Sequence, residues 1–133
     1  MRIAQVTDRL YCGGAVNDAS ALESVKKFGI THILNLDSKC HGVKEIETMH
    51  YYLDDDGEHK PDRYYDICIR YGVMVLRESE NKLFVHCAAG RNRSASICYG
   101  ILCCRGPHEE AERLVKEYFD TISKKDKNWE RPK

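Results

Sequence analysis

Two short segments with apolar centres constrain the fold of this chain most. They are residues 31–36, Thr-His-Ile-Leu-Asn-Leu, and residues 82–86, Lys-Leu-Phe-Val-His. Such runs are typical of strands buried on both faces, which occur in parallel sheets covered by helices. Segments with helical periodicity surround them, and glycine or proline marks many of the boundaries. The sequence therefore predicts strands that alternate with helices.

The fold class predicted from this alternation is α/β, with a central, mostly parallel sheet of four to five strands flanked by helices. Residues 37–48 are expected to form a loop with a helical turn. One helix should bury Tyr64, Ile67, Cys68, Tyr71 and Val75. The predicted elements are a hairpin at 3–6 and 10–12, a helix from 17 or 18 to 28, strands at 31–36 and 50–53, a helix from 61, a strand at 82–86, and helices at 93–104 and after 107.

Length and composition limit the classes of function. The 133 residues suit one domain, 1–133, with 121–133 as a loose polar tail. Basic and acidic residues balance at 21 each, so stable nucleic-acid binding is not expected. No apolar run reaches the roughly 18 residues of a membrane span. The seven cysteines include no C-x-x-C pair, which argues against a zinc site. Several of them lie among apolar neighbours, as free cysteines do, which favours a reducing compartment, the cytoplasm or the nucleus.

The segment His86-Cys87-Ala88-Ala89-Gly90-Arg91-Asn92-Arg93-Ser94 carries the chemistry. A cysteine follows a buried strand, and after five residues an arginine and a serine begin a helix. Loop amides and the helix amino terminus favour a bound phosphate and a cysteine thiolate. The Arg93 guanidinium could hold two phosphate oxygens, and the Ser94 hydroxyl could donate to the departing sulfur. The predicted phosphate-binding residues are Ala88, Ala89, Gly90, Arg91, Asn92 and Arg93.

This segment resembles the H-C-x5-R-[ST] signature of the cysteine-dependent protein tyrosine phosphatase superfamily. The chain from about residue 3 to residue 120 is similar to the compact dual-specificity branch, including the segments 10–14 and 29–36. The resemblance implies that Cys87 is the nucleophile, that Arg93 grips the phosphate, and that Asn35 braces the phosphate loop. Arg93, the loop amides and the helix dipole supply the positive charge that a metal would otherwise bring, so no metal and no cofactor are expected.

In this family an aspartate before the cysteine protonates the leaving group, as expulsion of an alkoxide or phenoxide requires. Asp54, Asp55 and Asp56 compete for this role. Asp55 is favoured because its spacing from Leu53 and Tyr65 matches an apolar strand residue and a helix aromatic of the family.

The expected substrate is a phosphorylated protein carrying phosphotyrosine and phosphoserine or phosphothreonine, hydrolysed by a monomer through a phosphocysteine. Arg91 and Asn92 keep a phosphoinositide or RNA 5′-phosphate open as alternatives. A non-catalytic phosphate-binding module is a third alternative, although proteins of that kind commonly lack the cysteine or the arginine, and both are present here. Cys12, Cys40 and Cys98 could each trap an oxidised Cys87 as a disulfide, and the sequence does not rank them.

Overall fold

A computed structural model describes residues 3–14, 19–37, 46–52, 62–87, 93–105 and 113 of the chain. Its strands form one five-stranded sheet in the order β1-β2-β5-β3-β4. Among the described strands, only the pairing of β1 with β2 is antiparallel, which confirms the mostly parallel sheet and the hairpin. The elements are β1 (Ile3–Gln5), β2 (Leu10–Gly13), α1 (Ala19–Lys27), β3 (His32–Asn35), β4 (Glu47–His50), α2 (Asp62–Arg77), β5 (Leu83–His86) and α3 (Arg93–Arg105).

Strand β5 lies at the centre of the sheet and is buried along its whole length. Its side chains alternate between the two faces. Leu83 and Val85 belong to the core cluster that includes residues of α2 and α3, whereas Phe84 packs in a second cluster with Val25 of α1. The apolar run of this strand is therefore explained by helices on both faces, as the sequence predicted.

Helices α2 and α3 cross closely because each contributes a glycine to the contact. A Cβ on Gly72 would lie 2.8 Å from Cγ1 of Ile101, and a Cβ on Gly100 would lie at the same distance from Cγ1 of Ile69. Each glycine thus leaves the space that an isoleucine of the other helix fills. This crossing fixes α3, and with it the start of the helix at Arg93, against the sheet.

Two sequence predictions were wrong. The fourth strand is Glu47–His50 rather than residues 50–53, so part of the predicted loop at 37–48 is a strand. It is a sheet edge that pairs only with β3 among the described strands, so its polar residues can face solvent, and Glu47 lies 3.2 Å from His32. Ile67 is 43% exposed, because α2 turns Cys68 and Val75 toward the sheet instead.

Other predictions are only partly covered by the described residues. Helix α1 is described from Ala19, and Gly29 ends it with φ of 75°. A glycine tolerates this left-handed conformation at little cost, which explains the stop. The last helix is described at Arg113 alone, and the tail at 121–133 lies outside the described residues.

Candidate active site

Three parallel strands bring their carboxyl ends together at one edge of the sheet. The Cys87 amide donates to the Gly13 carbonyl at 3.3 Å, and the Leu36 amide donates to the His86 carbonyl at 2.8 Å. These bonds continue the ladder just beyond β5 and place Cys87 between the ends of β2 and β3. Ligands of open α/β sheets bind at this kind of edge, so the sequence motif lies where a site is expected.

The Cys87 sulfur lies next to the first turn of α3. It is 3.5 Å from the Ser94 hydroxyl oxygen, and both residues are buried. When the sulfur is a thiolate, that hydroxyl is placed to donate to it. The partial positive charge of the helix amino terminus also favours an anion at this position. Two of the predicted catalytic residues therefore meet in the structure, in the arrangement that the motif indicated.

Arg93 is the first residue of α3, and its guanidinium turns toward the end of β3. Its Nη1 donates to the Leu36 carbonyl at 3.3 Å. The first turn of this helix holds no acidic residue. A cation at a helix amino terminus faces a like partial charge, which disfavours it by about 0.3–1 kcal/mol. A bound anion would remove this disadvantage, so the placement of Arg93 is understandable for a phosphate site.

Asn35 lies behind this edge and is fully buried. Its Oδ1 accepts a hydrogen bond from the Asp37 amide at 2.8 Å, which turns the chain out of β3. His86 stacks on Phe84, with ring centroids 5.3 Å apart. Asn35 and His86 are opposite each other in the parallel register of β3 and β5. Both therefore support the strand ends that carry the site.

Several predicted site residues lie outside the described residues. They are Asp54, Asp55, Asp56, Ala88, Ala89, Gly90, Arg91 and Asn92. Sequence reasoning also missed one partner, the Leu36 carbonyl that accepts from Arg93. A main-chain acceptor on another strand has no signature in the sequence.

A second group of thiols lies close to the site. Cys98 on α3 makes a side-chain hydrogen bond with Cys12 on β2. Burial, followed by Cys12 and then by Cys87, raises the pKa of Cys98 well above its ordinary value. The described residues include no group of three or more His, Cys, Asp or Glu side chains arranged to hold a metal ion.

Comparison with known proteins agrees with this geometry. The profile of the dual specificity phosphatase catalytic domain matches residues 10–130, so the chain belongs to that family. It is 30% identical over 98 residues, 74% of the chain, to a probable dual specificity protein phosphatase of Dictyostelium discoideum. It is 31% identical over 118 residues, 86% of the chain, to human dual specificity protein phosphatase 4.

The chain spans 45% of the length of the first relative and 29% of the second. Among solved structures, human DUSP28 superimposes with a TM-score of 0.72 at 21% identity, covering 86% of this chain and 79% of that one. This likeness confirms the fold.

None of the described helices has the length and apolar character that crossing a lipid bilayer requires.

Proposed function

We propose that this chain is a dual-specificity protein phosphatase that hydrolyses phosphotyrosine and phosphoserine or phosphothreonine through a phosphocysteine at Cys87. One observation carries the proposal: the Cys87 sulfur lies 3.5 Å from the Ser94 hydroxyl, at the amino terminus of a helix that begins with Arg93. This is a nucleophile beside an anion site, as phosphoryl transfer requires. Family membership supports the same reaction.

In the proposed first step, the Cys87 thiolate attacks phosphorus while Arg93 and the loop residues 88–92 hold the phosphate oxygens. The bond to the leaving oxygen breaks, and Asp55 gives that oxygen a proton. In the second step, the Asp55 carboxylate takes a proton from water, which attacks phosphorus. Inorganic phosphate leaves, and the sulfur departs as a thiolate assisted by Ser94. The reaction uses no metal and no cofactor.

The proposed substrate is a phosphorylated protein, and the proposed active form is a monomer in a reducing compartment, the cytoplasm or the nucleus. The relatives support a protein substrate because their names are those of dual specificity protein phosphatases. The phosphoinositide and RNA alternatives rest on Arg91 and Asn92 alone.

A substrate panel tests the proposal. Phosphate release is measured from phosphotyrosine and phosphothreonine peptides, phosphoinositides and a 5′-triphosphate RNA, with and without EDTA. Cys87→Ser is the blank, and Cys68→Ser is the matched control, because Cys68 is also buried but lies on α2. Peptide turnover that survives EDTA and is absent only from Cys87→Ser supports the proposal. Preference for the lipid or the RNA would contradict the proposal that the substrate is a phosphorylated protein. Binding without turnover would contradict the proposal that the chain is an enzyme.

The acid is tested separately. Asp55→Asn should slow substrates with poor leaving groups more than those with good ones, because only the former need protonation. Asp54→Asn and Asp56→Asn are the matched controls. If either control shows the leaving-group dependence instead, the acid is assigned to the wrong aspartate.

A further inference from the structure

An aspartate that the proposed reaction does not use lies at the same sheet edge as Cys87. Asp37 follows β3, and its main chain is fixed by two hydrogen bonds. Its amide donates to Oδ1 of Asn35 at 2.8 Å, and its carbonyl accepts from Nε2 of His50 at 2.6 Å. Asn35 and Leu36, the two residues before it, are fully buried, whereas Asp37 itself is half-buried. The fold therefore holds a carboxylate at a defined position on the rim of the site.

The carboxylate of Asp37 lies near the guanidinium of Arg93. Nη1 of Arg93 donates to the Leu36 carbonyl at 3.3 Å, and that carbonyl belongs to the peptide bond that leads into Asp37. Covalent geometry therefore keeps the carboxyl carbon of Asp37 within about 9 Å of this nitrogen. Charges at this separation still interact, since the Debye length is about 10 Å in 0.1 M salt. A phosphate held by Arg93, and any charge close to that phosphate, thus experiences the charge of Asp37.

The basic ends of the crossover helices lie far from this position. Helices α1 and α2 each precede the amino end of a parallel strand, and both end in basic residues. Two further basic residues directly precede β2 and β5. The amino edge of the sheet, opposite the site, therefore carries Arg9, Lys26, Lys27, Arg77 and Lys82. These cations do not offset Asp37 at the carboxyl edge.

The charge of Asp37 acts with opposite sign on two kinds of substrate. A second phosphate beside the reacting one carries about −1.5 to −2 charges at pH 7, so Asp37 repels it. A lysine or arginine beside the phosphorylated residue is attracted instead. Consecutive residues of a peptide are only about 3.8 Å apart, so such a side chain lies within the range of the carboxylate. One group can thus favour one substrate and disfavour another.

We propose that Asp37 is a specificity-determining residue, which selects proteins that carry a lysine or arginine next to the phosphorylated residue and disfavours substrates with additional phosphates. The inference rests on the proposed function in taking Arg93 as the group that holds the phosphate. It deepens that function by naming the substrate class as singly phosphorylated, basic segments. Asp37 transfers no proton in the proposed reaction, so its role is separate from that of Asp55.

Three matched peptides test the charge preference in the wild-type chain. They share one phosphotyrosine and differ in its neighbours, which are lysines, glutamates or a phosphoserine. We expect kcat/KM for the lysine peptide to exceed that for the glutamate peptide by about 3–10-fold in dilute buffer, with the doubly phosphorylated peptide lowest. In about 1 M salt the ratio should approach one, because the Debye length falls to about 3 Å. Equal rates or the inverse order in dilute buffer would overturn the proposal.

Variants assign the preference to one carboxylate. Asp37→Asn should bring the ratio of the lysine to the glutamate peptide close to one, Asp37→Lys should invert it, and Asp37→Glu should retain it. Glu80→Gln is the matched control, because Glu80 is exposed and precedes β5 at the opposite edge, and the net charge changes equally. A merely structural role would change kcat/KM for all peptides by the same factor. That result, or an equal loss of preference in Glu80→Gln, would contradict the assignment.

Binding measurements separate this proposal from the proposed function. Cys87→Ser lacks the nucleophile, so titration with the same peptides measures affinity without turnover. Preferential binding of the lysine peptide by a chain that hydrolyses no phosphoester would contradict the proposed function and support the role of Asp37. Hydrolysis without charge preference would contradict that role alone, and neither hydrolysis nor binding would overturn both. The salt dependence requires no substituted chain, so a variant that does not fold leaves the test intact.

Discussion

Two arginines lie at opposite ends of the central strands of the sheet. Arg9 precedes β2 at the edge where β5 begins, and its guanidinium donates to three main-chain carbonyls at and after the end of α2. Nε donates to Asn81 at 3.0 Å, and Nη2 donates to Leu76 at 2.6 Å and to Glu78. A cation at a helix carboxyl terminus is favoured by the helix dipole. Arg9 thus contributes to the fold.

Arg93 lies at the amino terminus of a helix, whereas Arg9 contacts a helix carboxyl terminus. It is the first residue of α3, where the helix dipole disfavours a cation, and it lies beside the buried Cys87 and Ser94. Its bond to the Leu36 carbonyl, at 3.3 Å, is longer than the usual N–H···O distance. The helix end that an arginine occupies therefore separates Arg9, which satisfies carbonyls of the fold, from Arg93, which we propose binds an anion.

The largest expected effect comes from Arg93→Ala. Removing a preorganised donor to the transferring phosphate should lower kcat/KM by about 10²–10³-fold. Unfolding in phosphate-free buffer should change little, because the helix dipole disfavours the wild-type cation. Steady-state kinetics measures the fall in kcat/KM, and urea unfolding measures the change in stability. A large loss of stability with kcat/KM retained would show that Arg93 serves the fold instead of an anion.

Arg9→Ala should give the reverse result. Three carbonyls lose a charged donor, which predicts a loss of about 2–3 kcal/mol in the free energy of unfolding. The kcat/KM of the folded fraction should stay at the wild-type value. Arg9→Lys is the matched variant, since it keeps the charge but cannot reach all three carbonyls at once. A fall in kcat/KM larger than the fall in folded fraction would contradict the structural role.

The α2–α3 crossing connects the helix that Arg9 caps to the helix that Arg93 begins. Gly72→Ala places a methyl against buried Ile101, and overpacking of this kind costs about 1–3 kcal/mol. Gly100→Ala should cost less, because Ile69 is only partly buried and can move. Urea unfolding of both variants measures the difference, and a larger loss for Gly100→Ala would contradict the packing.

The effect that is smallest at neutral pH concerns a buried thiol away from the site. Burial raises the pKa of Cys68 from 9.0 to about 12. A raised pKa favours the protonated thiol in the folded state, so its contribution to stability is complete below pH 9.0 and is lost as the pH rises toward about 12. The free energy of unfolding should therefore fall in this range, and less steeply in Cys68→Ala. Identical slopes would show that Cys68 is not responsible.

The sequence predicted the parts of this molecule that have local signatures. The apolar runs of β3 and β5 identified the central strands, and the strand–loop–helix context of the motif predicted that Cys87 follows a strand and that Arg93 and Ser94 begin a helix. Strand β4 was misplaced because an edge strand with polar residues lacks an apolar run. The contacts of Arg9 were missed because their carbonyls lie 67 to 72 positions away. Which thiol lies near Cys87 likewise depends on the packing of β2 against α3.

The most direct test of the central claim is to trap the covalent intermediate. A phosphopeptide labelled with radioactive phosphate is mixed with the chain, quenched in acid within one turnover and digested with trypsin. Label is expected on peptide 83–91, as phosphocysteine at Cys87, and none is expected in Cys87→Ser. Turnover without label on that peptide, or label on another residue, would contradict the assignment of Cys87 as the nucleophile.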